Sequence, residues 1–104
     1  MKALFIIINA GFAEDIVEIA RSCGARGATV INARGTATSD DTFLGIHVSP
    51  EKEIVLSLVE EEVAEKTVEM IEKLAGNKTS ANGICFYLPV DLMTNINAKV
   101  PVTK

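Results

Sequence analysis

The residues best suited to chemistry lie around one short segment, Gly27-Ala28-Thr29-Val30-Ile31-Asn32-Ala33-Arg34-Gly35. It is apolar in its middle and bracketed by glycines. It runs into a small polar stretch, Thr36-Ala37-Thr38-Ser39-Asp40-Asp41. Glycines at such ends let backbone amides approach a phosphate or a base with no Cβ in the way. They serve equally well as turn residues flanking a strand. Arg34 is a cation that could hold a phosphate or stand solvated on the surface. A second polar stretch, 77–83, closes on Asn82-Gly83. A rigid strand end feeding a polar loop suits a ligand-gated switch.

Other reactive residue types do not assemble into a site. His47 is the only histidine, and with two separated cysteines it makes a poor zinc set. Cys23 falls on an apolar helical stripe and Cys85 inside an apolar strand, so both read as buried thiols. Glu60-Glu61-Glu62 reads as a strand end plus an acidic helix start. No nucleophile, base and orienting group form a set. The sequence therefore carries no catalytic residue and no metal site, and an enzyme is not expected.

Periodicity defines the elements that must position these residues. Residues 2–9 form a continuous apolar run, read as a central strand, and Gly11 breaks it. Phe12, Ile16, Ile19, Ala20 and Cys23 recur at helical spacing, with Glu14 and Asp15 in the first turn. Gly24 closes that helix in the left-handed conformation. A second strand follows at 28–33, and 43–48 is extended again. Ser49-Pro50-Glu51-Lys52 reads as a turn, and 53–60 as a further strand. Val63, Thr67, Met70, Ile71 and Leu74 make the buried stripe of a helix over 61–75. The final strand is 84–88, stopped by Pro89, and the chain from Val90 onward is expected to be partly disordered or draped over a neighbour.

The order is β-α-β-β-α-β. This predicts an α+β, ferredoxin-like fold, a four-stranded antiparallel sheet with two helices on one face. With 104 residues, one domain over 1–104 is expected. Hydrophobic residues make up 48%, there is no Trp, and aromatics are 5%, so the core must be Ile, Val, Leu and Ala. Apolar residues on both sides of the strands leave an open sheet face that calls for association. A net charge of −4 without a basic stripe argues against nucleic-acid binding. Residues 1–10 are too short to span a bilayer and run straight into a helical pattern. Neither an export signal nor membrane insertion is expected. A cytoplasmic location follows, in keeping with two reduced thiols.

Gly24, Gly27, Thr29, Val30 and Gly35 resemble the second-strand pattern of the PII signal-transduction proteins. The loop 36–45 stands where their T-loop stands, though shorter, and 77–83 where their B-loop stands. Phe86 followed by Pro89-Val90 is similar to their last strand. The resemblance covers essentially the whole chain. It implies a homotrimer whose sheets pack around a central axis, with adenine nucleotide in clefts between subunits. It also implies a loop that changes shape with the ligand and docks on a regulated protein, such as a membrane transporter. Carried over, the ligand-binding positions are Gly27, Thr29, Arg34, Gly35, Thr36, Asn82 and Gly83, with Thr29 facing the adenine edge.

Departures from the family pattern narrow the ligand. The phosphate-binding lysine after the B-loop glycine is Ile84 here. The two arginines beyond the last strand are Asn95 and Asn97. The glutamine and basic residue after the second-strand glycine are replaced within Thr36, Ala37 and Thr38. A triphosphate needs several cations or a metal to be desolvated. Arg34, with Lys78, is what remains, so AMP, ADP or another small adenine nucleotide fits better than ATP. No cofactor is obligatory. The modified T-loop tyrosine is absent too, since Tyr87 lies in the last strand. Two other readings stand beside this one. One is a CutA-type metal-binding trimer, and the other is a structural interaction module with a decayed nucleotide site.

Overall fold

The computed structural model describes residues 1–36, 42–43, 46–47 and 51–94, with 42–43 and 46–47 described by backbone alone. The elements in chain order are β1 (Lys2–Asn9), α1 (Ala13–Ser22), β2 (Thr29–Arg34), β3 (Thr42–Phe43), β4 (Ile46–His47), β5 (Glu51–Val59), α2 (Glu61–Ala75) and β6 (Ile84–Pro89). β2, β5, β1 and β6 form one four-stranded sheet in that spatial order, with every pairing antiparallel. This is the ferredoxin-like arrangement the sequence predicts. The segment 43–48 departs from a simple extended stretch. β3 and β4 pair with each other, Thr42 opposite His47, as a ladder outside the main sheet.

β1 is central because it is apolar on both sides. Its even-numbered residues Leu4, Ile6 and Ile8 are fully buried against the helices. From β5, Val55, Ser57 and Val59 join them, and Ile16, Ala20, Ala64, Thr67, Ile71 and Ala75 close the layer from the two helices. Strand alternation sends the other residues to the helix-free face. There the register lines them up in rows across the sheet. One row is Ile31, Ile54, Ile7 and Ile84. The next is Thr29, Leu56, Phe5 and Phe86, in which the two phenylalanine rings stack with centroids 5.3 Å apart. A third is Leu58, Ala3 and Leu88.

Two glycines use the left-handed freedom that only glycine has cheaply. Gly11, at φ +99°, turns the chain from β1 towards α1, and Gly24, at φ +117°, ends α1 as expected. Pro89 falls inside β6 rather than after it. β6 is an edge strand, where a missing N–H costs no ladder bond. β5 begins at Glu51, so Glu51 and Lys52 belong to the strand and not to a turn.

The buried stripe of α2 also differs from the expected one. Thr67 and Ile71 are buried as predicted, but Leu74 is 56% exposed. Ala64 and Ala75 face the sheet instead, while Val63 and Met70 are half-buried. Alanines bring the helix axis close to the sheet yet carry little hydrophobic signal, so Leu74 drew the predicted stripe one position round. The Thr67 hydroxyl is satisfied by donating to the Val63 carbonyl at 2.7 Å.

Chemical denaturation checks this orientation. Ile71→Ala is expected to cost about 2–5 kcal/mol through the cavity it leaves. Leu74→Ala is expected to stay within about 0.5 kcal/mol.

Candidate functional site at one end of the sheet

Antiparallel pairing brings four chain segments to one end of the sheet. β1 and β2 leave there, at Asn9 and Arg34, while β5 and β6 enter, at Glu51 and Ile84. The last row of the helix-free face is Ala33, Lys52 and Asn9. It breaks an otherwise apolar surface with an ammonium and an amide. Lys52 Nζ donates to Asn9 Oδ1 at 2.7 Å, and Asn9 Nδ2 donates to the Ser80 carbonyl at 2.9 Å. The Asn9 backbone N–H donates to the Ala81 carbonyl at 2.9 Å. Just beyond, the Gly11 N–H donates to Glu53 Oε1 at 2.9 Å and the Ala10 N–H to the Glu51 carbonyl at 3.1 Å.

The loop before β6 is tied down from within. Thr79 donates to the Gly76 carbonyl through both its N–H and its hydroxyl, at 3.0 and 2.8 Å. Asn82 sits at φ +50°, and its N–H donates to the Thr79 carbonyl at 3.1 Å. The Gly83 N–H donates to the Ala75 carbonyl at 2.6 Å. A Cβ on Gly83 would stand 2.5 Å from that same oxygen, so no side chain fits. With its N–H engaged, Gly83 can serve a ligand by close backbone approach rather than by donation. On the opposite edge, a Cβ on Gly35 would lie 3.0 Å from Lys52 Cε, so Gly35 leaves space for the lysine stem.

Of the sequence-predicted residues, Arg34, Gly35, Thr36, Asn82 and Gly83 lie at this end, the first three at the β2 edge and the last two at the β6 edge. Gly27 and Thr29 do not. Thr29 pairs with Leu56 and is exposed, and the Gly27 carbonyl accepts from Ser57 Oγ at 2.6 Å. β2 alone, Thr29 to Arg34, spans about 16 Å at about 3.3 Å per extended residue, and Gly27 lies before its start. Arg34 is exposed and paired in register with Glu51, and alternation sends its side chain to the opposite face from Gly35 and Lys52. Lys78 is exposed on the loop before β6. The remainder of the loop 36–45 beyond Thr36 and the β3 backbone, and Asn95 and Asn97, lie outside the described residues, as does the side chain of His47.

Sequence reasoning missed Asn9 and Lys52. A faint signal was present: both occupy positions of the parity that is otherwise apolar along their strands, after Phe5 and Ile7 and before Ile54 and Leu56. Among the described residues, no group of three or more His, Cys, Asp or Glu is placed to hold a metal. Nor is any helix among them long and apolar enough to cross a membrane. Cys23 is buried, and burial pushes the half-buried Cys85 thiol up to about 12.

A family model for nitrogen regulatory protein P-II matches residues 1–99. The chain belongs to the P-II family. Two solved structures show the same fold as this P-II chain. One is a PII-like signalling protein of Thermus thermophilus, 20% identical, covering 84% of this chain and 82% of its own, with a TM-score of 0.65. The other is CPII, a nitrogen regulatory PII-like protein of Thiomonas intermedia solved with ADP, AMP and bicarbonate. It is 18% identical over 84% of this chain and 86% of its own, with a TM-score of 0.62. No curated protein matches the sequence.

Two outcomes are expected of this P-II chain. Gly83→Ala should lower stability by about 1–3 kcal/mol in urea titrations, because the new methyl meets a backbone oxygen. Cys85 should resist alkylation by iodoacetamide at neutral pH in the folded chain and react once the chain is unfolded. Its folded pKa is raised from 9.0 to about 12, so the stability tied to the neutral thiol is full below pH 9 and is lost as pH climbs towards 12.

Proposed function

We propose that this chain is an adenine-nucleotide sensor that assembles as a trimer, holds AMP or ADP between subunits, and acts through the loop 36–45 on a regulated protein. The observation that carries this reading is the separation of the predicted site residues into two groups at opposite ends of β2, with the helix-free apolar face beside them. One chain cannot close both groups on one nucleotide. Copies that bury their helix-free faces against one another can bring Gly27 and Thr29 of one chain towards Arg34, Gly35 and Gly83 of the next. The exposure of Ile31, Leu58, Ile84, Phe86 and Leu88 supplies the driving force for that assembly.

The ligand class is supported by the chemistry of the sheet end. Lys52 on the helix-free face and Arg34 on the other are cations at that end, and the position following Gly83 is the apolar Ile84. Each phosphate charge taken from water needs a charged or hydrogen-bonding partner, so one or two phosphates fit better than three. The CPII structure, solved with ADP and AMP, supports the same class. Regulation follows from differential affinity: nucleotide shifts the loop only as far as it binds one loop arrangement better than another. A membrane transporter is the partner this reading favours, from a cytoplasmic location.

Calorimetry with AMP, ADP, ATP and cyclic AMP tests it. AMP or ADP should bind more tightly than ATP, and Arg34→Ala should weaken binding about tenfold or more. Absence of binding to every nucleotide would leave a structural interaction module. Sedimentation checks the assembly: the native chain should run as a trimer, and Phe86→Asp, which sets a charge in the apolar face, should release monomers.

A further inference from the structure

The side chain of Asn9 joins strand β5 to the loop before β6. Its Oδ1 accepts from Lys52 Nζ, and its Nδ2 donates to the Ser80 carbonyl. Only one orientation of the amide allows this. Turned over, it would set NH2 against an ammonium and an oxygen against a carbonyl. Lys52 in turn lies beside Gly35, where an added Cβ would stand 3.0 Å from Lys52 Cε. A lateral chain therefore crosses the sheet: Gly35, Lys52, Asn9, Ser80. It begins where the loop 36–45 begins and ends in the loop before β6.

We propose that Asn9 is the positioning residue that couples Lys52 of β5 to the loop before β6, so that the placement of the Lys52 ammonium sets the order of the loop 79–83. The coupling is directional in its chemistry. Lys52 has three donors and no acceptor, so it can hold Asn9 only by its oxygen. That fixes the amide plane and aims Nδ2 at Ser80. Withdrawal of the Lys52 ammonium frees the amide to rotate and releases the Ser80 carbonyl. Both residues sit at the rim of the helix-free face, and covering that face would strengthen the pair by lowering the local dielectric. The inference rests on the proposed site only in naming these loops as its two walls.

Backbone hydrogen exchange on the full chain without nucleotide tests it, so a failure of nucleotide binding leaves the result intact. Lys52→Met should speed exchange of the Asn82 and Gly83 amides about five- to tenfold, the worth of the one neutral hydrogen bond from Asn9 to Ser80, with α1 amides unchanged. In an Asn9→Ala background those amides should already be fast, and adding Lys52→Met should change them no further. Asn9→Asp separates the two halves: it still accepts from Lys52 but cannot donate to Ser80. Its loop should exchange as in Asn9→Ala, while Lys52 stays protected from acylating reagents as in the native chain. The proposal is overturned if Lys52→Met leaves the loop amides unchanged. It is equally overturned if Lys52→Met speeds them by the same factor with and without Asn9.

Discussion

The structure depends on a sheet that is apolar on both faces while its helices cover one. β1 carries Leu4, Ile6 and Ile8 towards the helices and Ala3, Phe5 and Ile7 away from them, and its neighbours follow the same alternation. The covered side has a well-filled core of aliphatic residues, with Thr67 and Ser57 as its buried polar groups, each hydrogen-bonded. The uncovered side keeps rows of Ile, Leu and Phe exposed at a cost of about 25 cal/mol for each Å² of apolar surface left in water. An exposed apolar face of this kind favours burial against a partner surface.

Polar chemistry is pushed to the rim by the same constraint. Among the rows of the helix-free face, the one containing Lys52 and Asn9 closes the apolar surface at the end where four strand termini meet. The loop before β6 is anchored there by α2 through Gly83 and by β1 through Asn9. The polar segment after Gly35 starts from the same end.

Much of the fold was legible because single residues carry the information. A continuous apolar run marks a strand buried on both faces, and Gly11 and Gly24 mark turns that other residues enter at a cost. The order of elements then follows, and with it the family. What was not legible depends on register and packing distance. Lys52 looked like a turn residue until pairing placed it beside Asn9 and Ala33. Leu74 looked buried because leucine is the stronger hydrophobe, but the closer approach of α2 to the sheet uses Ala64 and Ala75. The seven predicted site residues formed one list in sequence. The sheet divides them, because Thr29 and Arg34 stand at opposite ends of β2, with Gly27 before it and Gly35 after it. That division turns a list of candidate contacts into a statement about which contacts one chain can supply.

The proposed site is one that a second copy of the chain completes. The most direct measurement is native mass spectrometry of the chain titrated with ADP. The account predicts trimers that take up nucleotide to one per subunit, with none retained on monomers. Nucleotide bound stoichiometrically to the monomer, or trimers that take up none, would contradict it.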